Sequence, residues 1–289
     1  MTYYETQENC STVTTFDCST IWLWRREEKE MNFFFSTCTK NISSKLTIPK
    51  FQNSGNKNDG LQLYQAEIEG NCWNVCSPKG CVETDYFYYL ENVDNYSIFF
   101  FGNDDGIKEI KEKNALLNIE KFTDTSPYFF RSNLLIKNKA GGFSSYQSEY
   151  PFRMVKAHGS LYSDCGLLTA PFGSTVGVFI RNIHCLPINE VKDIFLYSNA
   201  KKSVLKKYQV KLNQTTFIDL SEWKEELSHC YLYADDFLGI PIYMVEYSDG
   251  SLSFEHTHPP HESLLGGDRF ERVGALKRKA HEEIFKTAI

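Results

Sequence analysis

The 289-residue chain is short of positive charge, of long apolar runs and of every common phosphate-cradling pattern. Lysine and arginine number 31 against 37 acidic residues, a formal net charge of −6. A general nucleic-acid binder presents a basic face, and no basic stripe interleaved with aromatics is present, so nucleic acid is excluded as the expected partner. The one basic cluster, Lys277-Arg278-Lys279, has acids on both sides and reads as a solvated helix face. No apolar run approaches the ~20 residues that a membrane span requires, so no membrane partner is expected. Neither GxGxxG nor GxxxxGKS occurs, and there is no GxSxG elbow. Nucleotide binding and serine hydrolysis therefore have no motif to stand on.

A leader is missing too. The opening MTYYETQENCSTVTTFDCST has neither a basic start nor an apolar stretch, so no secretory signal is read there. Nine cysteines at irregular spacing are then expected as reduced thiols in the cytoplasm. Cys72, Cys76 and Cys81 lie close in sequence, but without CxxC spacing or a matching second half they are expected to be incidental thiols.

What the chain holds in excess is aromatic: 22 Phe, 17 Tyr and 4 Trp, often beside β-branched residues, a mixture that favours strands. Short apolar runs separated by turn residues predict strands along most of the chain. The fold class expected is mainly β, built as antiparallel β-sandwich or jelly-roll-like layers with a few helices, including a C-terminal amphipathic helix. Two domains are expected, a β-rich unit over 1–122 and a sandwich-like unit over 123–289 that closes with the helix, one continuous fold being the competing reading.

Local signals refine this. KLTIPKF predicts an edge strand, because Pro49 cannot donate to a ladder. IKEIKEKNALLNIE, 107–120, predicts a helix capped by Asp104 or Asp105. Asp219 with Glu222 predicts a short helix over SEWKEEL. Ser248-Asp249-Gly250 predicts a hairpin. In the last helix Asp268 and Glu271 form a capping box, and Phe270, Val273, Leu276, Ala280 and Ile284 repeat at a spacing that packs on a sheet.

The densest chemistry is SLSFEHTHPPHES, 251–263. In a strand, His256 and His258 share a face. Pro259-Pro260 force a turn that can bring His261 or Glu262 back toward them. Two imidazoles and a carboxylate make a ligand set for iron, manganese, nickel or zinc, with positions open to substrate. The pattern Gly250, five residues, His256-Thr257-His258, three residues, Glu262 is similar to the first motif of the cupins. That resemblance implies His256, His258 and Glu262 as ligands of a divalent transition metal. Gly266 and Gly267 arrive earlier than the motif's own glycine, and no second motif follows, so the likeness is confined to one short run and assigns no family.

Elsewhere, structural roles are expected. Ser160 near His158, Asp164 and Cys165 is only a sequence neighbourhood, and triads are assembled by the fold. His184-Cys185 and His229-Cys230 are adjacent residues that a strand would point in opposite directions. Asp104-Asp105 are caps, and Asp235-Asp236 follow a strand. YFYY, 86–89, is aromatic on both faces of a strand and is the candidate for an exposed platform.

Two functional readings follow. The leading one is a soluble, non-catalytic binding or assembly protein that uses β-sandwich surfaces, with a protein or carbohydrate partner and self-association as one form of assembly. It needs no cofactor. The other is a metal-dependent enzyme at His256, His258 and Glu262, with Glu262 as ligand or general base and His261 as an outer partner.

Overall fold

Aromatic and β-branched runs bounded by turn residues form strands throughout the chain. The computed structural model describes residues 28–30, 32–50, 61–117, 121–123, 132–155, 159–165, 173–256 and 269–286. In chain order the first strands are β1 (Glu28–Glu30), β2 (Asn32–Phe35), β3 (Ile42–Pro49), β4 (Gln62–Glu69), β5 (Cys72–Cys76), β6 (Val82–Glu83), β7 (Phe87–Glu91) and β8 (Ile98–Gly102). After helix α1 (Asp104–Lys113) come β9 (Lys121–Thr123), β10 (Asn133–Asn138), β11 (Phe143–Tyr146) and β12 (Glu149–Pro151). Then follow β13 (Leu161–Asp164), β14 (Gly173–Arg181), β15 (Val191–Ser198), β16 (Ser203–Lys211), β17 (Thr215–Asp219), β18 (Cys230–Ala234), β19 (Ile240–Tyr247) and β20 (Leu252–His256), and helix α2 (Arg269–Phe285).

Four antiparallel sheets result. Sheet I has the order β11-β10-β3-β7-β6, sheet II β12-β2-β8-β4-β5, sheet III β13-β18-β15-β16 and sheet IV β17-β14-β19-β20; β1 and β9 make a separate ribbon. The sheets are arranged as the blades of a four-bladed, propeller-like body. The blades are not sequential meanders: sheets I and II interleave the strands from β2 to β12, and sheets III and IV those from β13 to β20.

This corrects the expected sandwich or jelly-roll. A two-layer sandwich buries one face of each sheet and leaves the other wet. Here sheet IV is buried on both. One face sends Val176, Val178, Ile180 and Val245 into a core shared with Ile194, Leu196 and Leu232 of sheet III. The other sends Phe179, Ile242, Met244 and Phe254 into a second core, with Leu46, Leu90 and Leu134 of sheet I and Phe34, Phe99 and Phe101 of sheet II. Sheet II is likewise doubly buried, its far face carrying Phe33, Phe35 and Phe100 beneath Ile107 and Ile110 of α1. Such strands read as unbroken apolar runs, because they have no wet face to alternate with.

Other expectations shift for local reasons. β3 is a central strand, between β10 and β7. Pro49 is tolerated because it is opposite Phe87 on one side, while on the other β10 reaches only as far as Asn133, opposite Thr47. The ladder has ended where the missing N–H would point. Helix α1 starts and stops earlier than its period suggests. Asn103 is the cap, its side chain accepting from Gly106 N at 2.8 Å, and Asn114 ends it in the left-handed conformation at φ 49°. Behind Asp219 the chain makes short 3-10 turns, Ser221–Trp223 and Leu227–His229, instead of one α-helix.

Helix α2 lies on sheet III, but its seat is polar-aromatic. Ala280 is buried against Tyr197, Tyr231 and Tyr233, with Ile284 and Tyr162 beside them. Tyr231 OH donates to Glu283 Oε2 at 3.2 Å, and Tyr233 OH lies 3.3 Å from His281 Nδ1. Leu276 of the expected stripe is 39% exposed, and the side chain of Phe270 lies outside the described residues.

Among the contacts that join the earlier sheets to the later ones, two are specific in different ways. Arg181, at the end of β14, is fully buried, its guanidinium over the Phe35 ring at 5.2 Å and donating to Gln147 O at 3.4 Å. Burial pulls its pKa down to about 10, opposed first by the charge of Glu149, so it stays protonated at neutral pH. The second contact is turn against turn. Asn138 Nδ2 donates to Glu246 Oε1 at 2.9 Å and to Gly250 O at 2.8 Å. Gly142 packs so closely there that a Cβ would stand 1.8 Å from the Gly250 carbonyl oxygen.

Gly142→Ala is therefore expected to lower the free energy of urea unfolding by about 2 kcal/mol or more, as overpacking does. Ser145→Ala on the same strand should stay within about 0.5 kcal/mol. Equal losses for the two variants would mean that the turns do not touch.

Candidate functional site

His256 is the last residue of β20, opposite Ile242 of β19. His258, His261 and Glu262 lie outside the described residues. Among the described residues no group of three or more His, Cys, Asp or Glu is placed to hold a metal ion. The metal-binding reading thus finds no ligand set among the described residues, and three of its four residues lie outside them. The cupin comparison loses its scaffold as well, since β20 is an edge of sheet IV in a propeller-like body and not part of a jelly-roll barrel. Cys72 and Cys76 stand at opposite ends of β5. At about 3.3 Å per residue that separates them by roughly 13 Å, too far to share an ion.

Two runs that are distant in sequence do meet. His184, from RNIHCLP, and Asp236, from YADDFLGIP, line one cleft of about 160 Å³ with Asn182, Glu190, Lys192 and Leu238. Lys192 Nζ lies 3.3 Å from Glu190 Oε2 and 3.5 Å from Asp236 Oδ2. The carboxylates raise the lysine pKa against the opposing effect of desolvation. His184 Nδ1 accepts from Leu186 N at 3.1 Å, so the ring is held by its own turn. Cys185 is drawn into structure, its carbonyl accepting from Trp73 Nε1 at 2.9 Å and Leu116 N at 2.7 Å. The cleft is smaller than the roughly 300–1,000 Å³ of a small-molecule site, and its lysine is already neutralised.

The outer face of sheet I is the larger feature. Strand alternation turns Tyr88 of YFYY onto the second core and leaves Phe87 and Tyr89 facing outward. The register adds neighbours: Val82 of β6 opposite Tyr89, Thr47 on the other side of Tyr89, and Leu135 of β10 opposite Lys45. Phe143 of β11 is opposite Lys137. Val82, Tyr86 and Phe143 are 62%, 60% and 67% exposed. The sheet carries ion pairs of both signs, Lys45–Glu91 at 3.7 Å across its central strands and Lys50–Glu83 at one end. Lys45 Nζ stands over the Tyr89 ring at 4.8 Å and Lys50 Nζ over Tyr88 at 5.1 Å. YFYY was legible in the sequence. Val82, Leu135 and Phe143 were not, because each sits alone in its strand and only the strand order gathers them.

The titratable groups with resolved shifts point to structure more than to chemistry. Cys165 is fully buried, 3.7 Å from the Tyr243 hydroxyl, and burial pushes its thiol up to about 12. Burial also raises Cys38, Cys81 and Cys230. Tyr208 and Tyr233 are pushed up to about 12 by the same cause.

Comparison of the chain with protein-family models, with curated proteins and with solved structures finds no match. Among the described residues no helix is long and apolar enough to cross a membrane.

The raised groups fix a pH dependence. In the unfolded chain a thiol titrates at 9.0 and a phenol at 10.0, whereas Cys165, Tyr208 and Tyr233 hold their protons to about 12 when folded. The folded state then binds more protons, so stability is full below pH about 9 and is lost as pH rises toward 12. Urea midpoints should be flat from neutrality to about pH 9 and fall above it; a midpoint that rises over the alkaline range would contradict the burial of these groups.

Proposed function

We propose that the chain is a non-catalytic binding or assembly protein that docks through the outer face of sheet I, and that its partner there is a protein. The observation that carries this reading is the outer face of sheet I, where Val82 and Phe143 are exposed and Phe87 and Tyr89 half-buried, with exposed Tyr86 just before β7 and no layer packed over the face among the described residues. Sheets II and IV bury both faces, and sheet III is covered by α2. Apolar and aromatic side chains left uncovered among charged ones are the usual anatomy of a protein interface.

A sugar is the weaker occupant. A pyranose stacks on a free, flat ring face. Here Phe87 and Tyr89 are inclined at 42° to one another, and Lys45 already stands over Tyr89. For a protein partner the same lysines are an advantage, since charges of both signs steer and register a complementary surface.

A photo-reactive phenylalanine analogue placed at Tyr86 or Phe143 tests the reading, with Val204 of β16 as an exposed control. Adducts of discrete mass are expected from Tyr86 and Phe143 and not from Val204, an adduct of twice the chain mass identifying self-assembly. Equal labelling at all three positions would sink the proposal.

We also infer that the chain works in the cytoplasm. The seven described cysteines are free thiols, which supports a reducing compartment. Alkylation of intact cells followed by mass spectrometry should find Cys72, which is exposed, modified as a free thiol. Recovery of Cys72 only as a disulfide would overturn the assignment.

A further inference from the structure

β5 is an edge strand of sheet II, and α1 lies beside it. The two run in opposite directions. At one end they are locked together: Asn114, the residue that ends α1, accepts from Trp73 N through Oδ1 at 2.9 Å and donates to Asn71 O at 2.9 Å. Toward the other end they part, leaving an open groove of about 720 Å³ lined by Tyr64, Val75, Cys76, Ser77, Ile107 and Lys111.

The strand period decides what that groove offers. Trp73 N–H points away from β4, toward Asn114. Val75, two residues on, therefore turns its N–H and C=O to the same free edge. No described strand pairs with that edge. The wall of the groove thus presents a peptide donor and acceptor, and Val75 and Ile107 give it an apolar floor. Its acids are engaged, Asp104 accepting from Tyr64 OH at 3.0 Å and Glu112 lying 3.9 Å from Lys108. Lys111 makes no ion pair among the described residues and is exposed.

Three other edges are blunted in the ways that prevent stray pairing. β6 has two residues and β12 three, while β16 carries Lys206, Lys207 and Lys211. β5, CWNVC, has neither charge nor proline.

We propose that this groove receives an extended segment of a partner protein, added to β5 as a sixth strand of sheet II, with an acidic side chain of that segment held at Lys111. Backbone hydrogen bonds to Val75 supply register, and Lys111 supplies selection, the division of labour seen wherever a peptide augments a sheet edge. The site is separate from the outer face of sheet I.

The test uses a phage-displayed library of random decapeptides panned on the full chain, with the enriched peptides then synthesised and fluorescently labelled. Enrichment of acid-bearing sequences is expected. Lys111→Glu, an exposed change that should keep the circular dichroism spectrum, is expected to weaken their binding about tenfold or more. Tyr86→Glu on sheet I should leave it unchanged. N-methylation of alternate peptide residues should abolish binding in one register and spare it in the other. No enrichment, indifference to Lys111→Glu, or tolerance of N-methylation in both registers would each overturn the proposal.

Discussion

Everything else in this molecule depends on sheet IV being buried on both faces. Its central strands β14 and β19 cannot be wetted over most of their length, so they must be largely apolar, and their polar backbone must be satisfied by their neighbours. The second core makes the point. Phe179 and Ile242 of sheet IV meet side chains from sheets I and II there, so three sheets share one interior. Neither sheet I nor sheet II could keep its inner face dry if sheet IV were removed. The earlier and later strands thus contribute to one core, although they pair in separate sheets.

Polar groups at this junction are held in a way that a purely apolar core would not need. Asn182 Nδ2 donates to Leu238 O at 2.6 Å, and its Oδ1 accepts from Asn213 N at 3.0 Å. Asn213 Nδ2 in turn serves the carbonyls of Leu186 and Ile188 at 2.9 and 3.0 Å. Thr215 N donates to Asn95 O at 2.7 Å, crossing from sheet IV to the loop before β8. These side chains do for irregular backbone what a ladder does for strands. Arg181 is the exception, with its Nε lacking a partner and its charge offset chiefly by Glu149. Burying a guanidinium is costly unless the surroundings hold it in place. Here the Phe35 ring and the Gln147 carbonyl do so, and both belong to the earlier strands.

How much of this was legible follows from what a residue can signal alone. Strand content was readable in the aromatic and β-branched runs, and the Asp249-Gly250 hairpin joining β19 to β20 was readable from two residues. The packing of sheets was not, yet its mark was present. NFFF, IFFFG and IPIYMVEY lack the alternation that a half-wet sandwich strand shows, and unbroken runs are the pattern of strands covered on both sides. The error lay in treating those runs as composition instead of as a statement about faces. Pro49 misled for a different reason: a proline excludes only one hydrogen bond, and a central strand tolerates it once its neighbour has ended. The histidine run showed the limit of local spacing, since it specified possible ligands without specifying a fold that gathers them. The groove beside α1 had no sequence signature, because it arises from a helix locked to β5 at Asn114 and parted from it at the other end.

The same burial that organises the fold bears on what kind of function it can carry. A catalytic thiol or phenol needs its pKa brought down toward neutrality so that the reactive anion is populated. The resolved shifts of Cys38, Cys81, Cys165 and Cys230 all run upward, and burial is the first cause of each. Tyr150 and Tyr243 follow the same direction for the same reason. These side chains are being used as packing material with a proton attached. What such a fold retains in quantity is surface that its own layers do not cover: the outer face of sheet I and the free edge of β5. The docking proposed above rests on that uncovered surface and on that free edge.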